Sequence, residues 1–442
     1  MARADGSALT DQTDGPREPD TSRRAVEAVW RIESARIVGA LAHYTGDFVL
    51  AEDVAQEALA EALVAWPRDG VPPNPAAWLL TVARRRAIDV FRRRSALDER
   101  YATLASGLAE GQASSGAALH PPSGGDLPWD PDAMDDDLLA LMFVACHPVL
   151  SPEARVALTL RVVGGLTTEE IARSFIVPVP TIQARITRAK KTIAAAQVPF
   201  EVPSLDERRE RLSGVQNVLY VIFTEGSTAT GGEDLLRPDL AREATRLARV
   251  LARLLPDEPE AHGLLALMEL TAARFPARTG PDGEAVLLED QDRRLWDRSA
   301  IARGAAALAH SASAGRGLGP YGLQAAIAAC HAAAPSVEQT DWERIVLLYE
   351  ALGRVAPSPI VELNRAVAVA MANGPLSALA IVDELVASDR LSGSHLLPSV
   401  RGELLARLGR VDQARAEFEL AARLCGNQRE RAVLERKAAA LG

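Results

Sequence analysis

Aromatic residues make up only 4% of this 442-residue chain, and strands lean on aromatic and β-branched side chains. Their scarcity, beside abundant Ala, Leu and Arg, points to helix. Cys146, Cys330 and Cys425 are far apart and form no C-x-x-C pair. That argues against a disulfide framework or zinc ribbon and fits a reducing cytoplasm. No apolar run approaches the ~18 residues that a membrane span needs. The first twenty residues hold five acids and no apolar core, so they do not read as a signal peptide. H-E-x-x-H, G-x-x-x-x-G-K-[ST] and G-x-S-x-G are all missing, which leaves an enzyme as the weakest reading. Cys146 and His147 are adjacent, but adjacency makes no catalytic dyad. No catalytic residue, cofactor or metal is expected.

A net charge of −10 argues against a protein coated in nucleic acid, yet the total conceals local structure. Residues 101–150 carry −7, whereas 151–200 carry +4. Phosphates respond to such patches rather than to the sum. Residues 1–22 read as a disordered lead-in. Helical patterning covers 23–95, then 96–135 is rich in Gly, Ser, Pro and Asp and reads as a flexible acidic linker. Helix resumes over 136–198. The segment "VPFEVPSLDERRE" marks another boundary, and 199–442 is helix after helix.

Within "LTTEEIARSFIVPVPTIQARITRAKK" (166–191), Thr167 and Glu170 have capping-box spacing, so a helix starts there. "VPVP" stops it, and Pro180 suits the first turn of the next helix. Ile182 and Ile186 face inward, leaving the basic side chains for the other turns. This is helix-turn-helix logic, with one helix bracing and the next reading the major groove. Arg can pair with guanine and Gln with adenine, whereas Lys mostly finds phosphate. Ile176 stands where such turns often have glycine.

A second basic run, "AAWLLTVARRRAIDVFRRR" (76–94), packs six arginines and one acid into its last eleven residues. A Pro-rich loop precedes it. Upstream, "AEDVAQEALAEAL" is amphipathic, with Asp53, Gln56, Glu57 and Glu61 on one polar face. In this order and spacing, these motifs resemble an extracytoplasmic-function (ECF) sigma factor of bacterial RNA polymerase, of the sigma-70 family. Residues 23–95 resemble region 2 and 136–198 resemble region 4.

The resemblance implies an all-α fold and assigns roles. Asp53, Gln56 and Glu57 would bind the clamp helices of the polymerase β′ subunit. Asn74, in the protruding loop, would pocket a flipped base of the −10 element, with Trp78, Arg84, Arg85, Arg92 and Arg93 around the opening duplex. Thr181, Gln183, Ala184, Arg185, Thr187, Arg188, Lys190 and Lys191 would sit at the −35 major groove. Region 4 would also meet the β flap, and the acidic linker would thread toward the RNA exit path.

Some 240 residues remain beyond such a factor. "DEPEAHGLLALMELTAARFPAR" and "LEDQDRRLWDR" resemble the subgroup with a tetratricopeptide-like C-terminal extension. Gly402, Ala414, Phe418 and Ala421 match the small and aromatic positions of one such unit, and Ala366, Ala378, Val382 and Leu385 repeat the offsets earlier. The clearest repeats fall in 358–425, and helices near 320–334 and 341–353 would extend the stack. His262 reads as a packed or capping histidine, and Trp296 and Trp342 as core. Glu289–Arg293 and Asp290–Arg294 read as helical i,i+4 pairs. The tail is expected to dock on the sigma domains and regulate them, with an unidentified protein as a further partner. The rivals are a stand-alone helix-turn-helix activator, which leaves the region 2 motifs unexplained, and a repeat scaffold, which reduces both arginine runs to surface.

Overall fold

The structure, a computed structural model, describes residues 19–106, 131–227, 236–280 and 284–441. Most of the acidic lead-in and the centre of the linker lie outside these. Among the described residues the fold is α-helical, with one isolated bridge between Thr279 and Ala285. Contacts divide it into two compact units. One comprises residues up to 150 together with 158–167 and 187–206; the other comprises 151–157, 168–186 and 207–442.

In the first unit, α1 (Pro19–Thr45), α2 (Phe48–Asp69) and α3 (Pro75–Ser106) form a bundle. Each start has a local cause. The Asp47 carboxylate accepts from the Val49 and Leu50 amides at 2.9 and 3.0 Å, capping α2. Asn74 Oδ1 accepts from the Ala77 amide at 3.1 Å, with Pro75 opening α3. Trp30, Ile37, Leu41, Val54, Ala58, Trp66, Leu79 and Phe91 fill the core. α4 (Pro131–Ala145) packs on α1. There a Cβ at Gly39 would stand 3.1 Å from the Asp137 backbone, so glycine lets the two helices approach.

The expected linker loses its first residues to α3, which runs on to Ser106. "SALDERYATLAS" consists mostly of good helix formers, and the first glycine after it is Gly107. α5 (Pro152–Val162), α6 (Thr168–Ser174) and α7 (Val179–Ala195) follow. α6 starts one residue after Thr167, and Pro180 lies in the first turn of α7, as the cap and proline signals predict. Ile176, in the turn, has a φ of +51°. The compact units pass through α5 and α7, so they cross the 136–198 segment instead of bounding it.

The rest of the second unit begins with α8 (Leu205–Ser227), α9 (Pro238–Leu254) and α10 (Pro259–Ala272). It continues with α11 (Arg298–Ser313), α12 (Pro320–Ala333) and α13 (Trp342–Val355). α14 (Pro359–Asn373), α15 (Pro375–Ala387), α16 (Leu396–Arg407), α17 (Val411–Leu424) and α18 (Gln428–Ala439) complete it. All eight small or apolar positions singled out from the repeat pattern are buried. Gly402 allows the tightest approach, since a Cβ there would lie 3.0 Å from the Phe418 ring.

A second local expectation fails. Residues 288–295 are not an α-helix but two short 3₁₀ turns, so the i,i+4 pairs do not form. Asp292 caps the second turn and holds Arg294, while Arg293 Nη1 donates to the carbonyls of His331 and Ala334, both at 2.7 Å. Trp296 is buried under Arg274 and Arg293. His262 packs on His310, and each Nε2 lies within 3.0 Å of the Pro256 carbonyl.

Candidate nucleic-acid interface

α7 separates its residues by face. Ile182, Ile186, Ala189 and Ile193 are buried at three- and four-residue spacing. Gln183, Ala184, Thr187, Arg188 and Lys191 form the exposed strip on the opposite side, which holds no acid. Thr181 and Arg185 are half-buried at its margin, and Arg185 lines a cavity of about 220 Å³. Its other walls include Val156, Ile171, Phe175 and Ile182 and, from α8, Asn217, Val218 and Val221. The C-terminal extension thus supplies apolar neighbours to the helix-turn-helix core. A polar contact joins them as well: Arg237, just before α9, donates to the Ser174 carbonyl at 2.7 Å.

Lys190 behaves differently from the rest of the expected −35 set. Its ammonium reaches back to α2, bonding the Glu52 carboxylate and Asp53 Oδ1, the latter at 3.0 Å. Burial alone would lower its pKa, but Glu52 and Asp53 outweigh that and hold it above the ordinary lysine value. Arg161, from α5, donates to Gln56 Oε1 at 2.7 Å and lies 3.9 Å from Glu52. The Glu52 side chain is only 3% exposed. Two of the expected polymerase-binding residues, Asp53 and Gln56, are therefore engaged by cations from within the chain. Glu57 remains exposed and lies 3.6 Å from Arg86, which also holds Glu61 at 2.8 Å.

The α3 residues are arranged along a mostly solvent-facing flank. Arg85, Arg92 and Arg93 are exposed, while the Arg84 guanidinium sits over the Tyr44 ring at 5.8 Å. Asn74 is exposed but has a structural duty, since its Oδ1 caps α3 while its amide group stays open to a ligand. Trp78 is half-buried and meets Trp66 edge-on at 5.6 Å.

Sequence reasoning did not single out Glu52 or Arg161. Glu52 precedes Asp53 on α2 and sits among Ala51, Val54 and Ala55, which are all buried. An acid on an apolar helix face is the signal that was available, because a buried carboxylate requires a partner.

Comparison with known proteins agrees with this layout. Residues 31–96 match Sigma-70 region 2 and residues 140–193 match Sigma-70 region 4. Residues 211–312 match a family of unknown function, DUF6596. An uncharacterised protein of Rhizobium meliloti is 44% identical over 409 residues, covering 90% of this chain and 91% of that protein. The probable ECF RNA polymerase sigma factor SigI of Mycobacterium tuberculosis is 26% identical over 183 residues, covering 41% of this chain and 59% of its own length. With both sigma regions in order on the helices described, the chain belongs to the extracytoplasmic-function sigma factors of the sigma-70 family, and it carries a helical C-terminal extension that includes the DUF6596 segment.

Proposed function

We propose that this sigma factor binds core RNA polymerase through the polar face of α2 and directs promoter-specific initiation. In this reading α3 and the loop before it engage the −10 element, and the exposed strip of α7 engages the −35 element. The observation that carries the proposal is that strip. Five neighbouring side chains include amide, hydroxyl and cationic donors, no acid, and a buried apolar face behind them. A helix so divided can enter a major groove without bringing carboxylates near phosphate.

The proposal includes a holding state. Lys190 and Arg161 cover Asp53 and Gln56, so the β′ clamp helices can take that face only after region 4 has released it. The C-terminal extension bears on the same step, since α8 lines the cavity beside Ile171 and Ile182.

The test is in vitro transcription with the full chain and bacterial core polymerase, on duplex and pre-melted promoter templates. Core-dependent initiation at defined sites is the expected result. Gln183→Ala and Arg188→Ala should weaken initiation on duplex templates more than on pre-melted ones. Duplex binding without polymerase and no transcripts on either template would replace this reading with a stand-alone activator.

A further inference from the structure

The C-terminal extension contains a cavity of about 480 Å³, formed between residues 271–278 and 285–291 and helices α16 and α18. Its size falls within the range of small-molecule sites. One wall is apolar, from Val286, Leu287, Leu288, Leu396 and Leu434. The other carries Arg274, Arg278 and Lys437.

Arg274 is the unusual member. Nε donates to Gln291 Oε1 at 3.3 Å, and the guanidinium lies 5.5 Å from the centre of the Trp296 ring. Among the described residues, neither Nη group has a hydrogen-bond acceptor. Its charged neighbours are Arg278 and Arg293, and burial together with these cations pulls it down to about 10. Burial, with Arg274 and Arg293 beside it, holds His331 down to about 4, so that side chain is neutral and adds no charge.

The nearby anions are already committed. Glu430, which also lines the cavity, lies 3.5 Å from His395 Nε2 and accepts from the Cys425 thiol, and Glu403 holds Lys437 at 2.7 Å. Arg278 donates to the Ser227 carbonyl, and Arg293 to the two carbonyls beyond His331. A half-buried guanidinium with two idle Nη groups costs free energy unless an anion meets it. Its planar fork suits a carboxylate or phosphate.

We propose that this cavity binds a small organic anion, with its carboxylate or phosphate on the Nη groups of Arg274 and an apolar body against Val286, Leu288 and Leu434. The extension is then a receptor domain for a metabolite-sized ligand. This goes beyond the sigma reading and does not depend on it.

The test is binding to the full-length chain without polymerase, by calorimetry and by thermal melting. The probes are octanoate, octyl phosphate and uncharged octanol. Saturable binding of octanoate or octyl phosphate, weakened by salt and at least tenfold tighter than octanol, is expected. The preferred headgroup separates carboxylate from phosphate as the natural chemistry. Arg274→Gln should weaken probe binding at least tenfold, and Val286→Trp should abolish it by filling the apolar side without removing a charge. Arg294→Gln, an exposed arginine held by Asp292, should bind as the parent does. Binding of neither anion to the parent chain, or equal affinity in Arg274→Gln, overturns the proposal. Transcription is not read in this experiment, so a failed sigma assay leaves its outcome intact.

Discussion

At the scale of single residues, two features have measurable consequences. Ile176 adopts φ +51° in the helix-turn-helix turn and is 62% exposed. A β-branched side chain in that region is strained, and little burial offsets the strain. Ile176→Gly is therefore expected to stabilise the chain by about 1 kcal/mol, raising its melting temperature. A lower melting temperature would show that the Ile176 side chain contributes more than its exposure suggests.

Asp137 is the other. Burial against α1 raises its carboxyl to about 6, although His43 lies 3.2 Å away and opposes the shift. The folded state thus holds this proton more tightly than the unfolded state does. That share of the stability is fully present below the ordinary value of 3.8 and is lost as pH rises through about 6. Two pKa units correspond to at most about 3 kcal/mol. Asp137→Asn should remove this component. Melting curves between pH 4 and 7.5, as round experimental limits of about that window, should fall less steeply for the variant than for the parent.

At the scale of elements, the contact between α2 and the positive side chains of α5 and α7 matters most. Glu52 is nearly fully buried and depends on Lys190 and Arg161. Removing one partner of such a group costs about 3–5 kcal/mol, because the charge left behind has no compensation. In the proposed holding state that cost falls on the covered form alone. Arg161→Ala combined with Lys190→Ala is expected to expose Asp53 and Gln56 and tighten core polymerase binding several-fold. Fluorescence titration of labelled chain with core enzyme measures this with no promoter DNA present. Unchanged or weaker affinity would mean that α2 is not gated by these cations.

Much at this scale was legible beforehand. Thr167 with Glu170, and Pro180 at the end of "VPVP", place α6 and α7 to within a residue, because caps and prolines act through neighbours in sequence. The same reasoning fails at 288–295. Four-residue charge spacing suggested a helix there, but Asp292 and Trp296 turn the chain through caps and burial instead. It fails again after Arg94, where a linker assigned by composition is helical as far as Ser106.

At the scale of the whole molecule, the extension is more than an appendix to the sigma regions. Val218 is buried, and it lines the same cavity as Phe175 and Ile182. A chain ending after Val198 would leave those apolar side chains facing water. Such a truncation is expected to melt at a lower temperature and to exchange the α6 amides faster than the full chain does, read by hydrogen exchange. Equal protection in both chains would show that the helix-turn-helix is self-sufficient.

The sequence alone determined the all-α class, the order of the two sigma regions, the divided faces of α2 and α7, and the buried small and apolar positions of the C-terminal helices. These follow from periodicity, caps and turn residues, which operate over a few residues, and from motifs that are contiguous in the chain. Only the tertiary structure decided the rest. Lys190 and Arg161 stand more than a hundred residues from the acids and amide they hold. Arg274 becomes a cation without an anion only when α16 and α18 enclose it. Burial and pairing across such separations depend on which faces meet, and no local pattern records that.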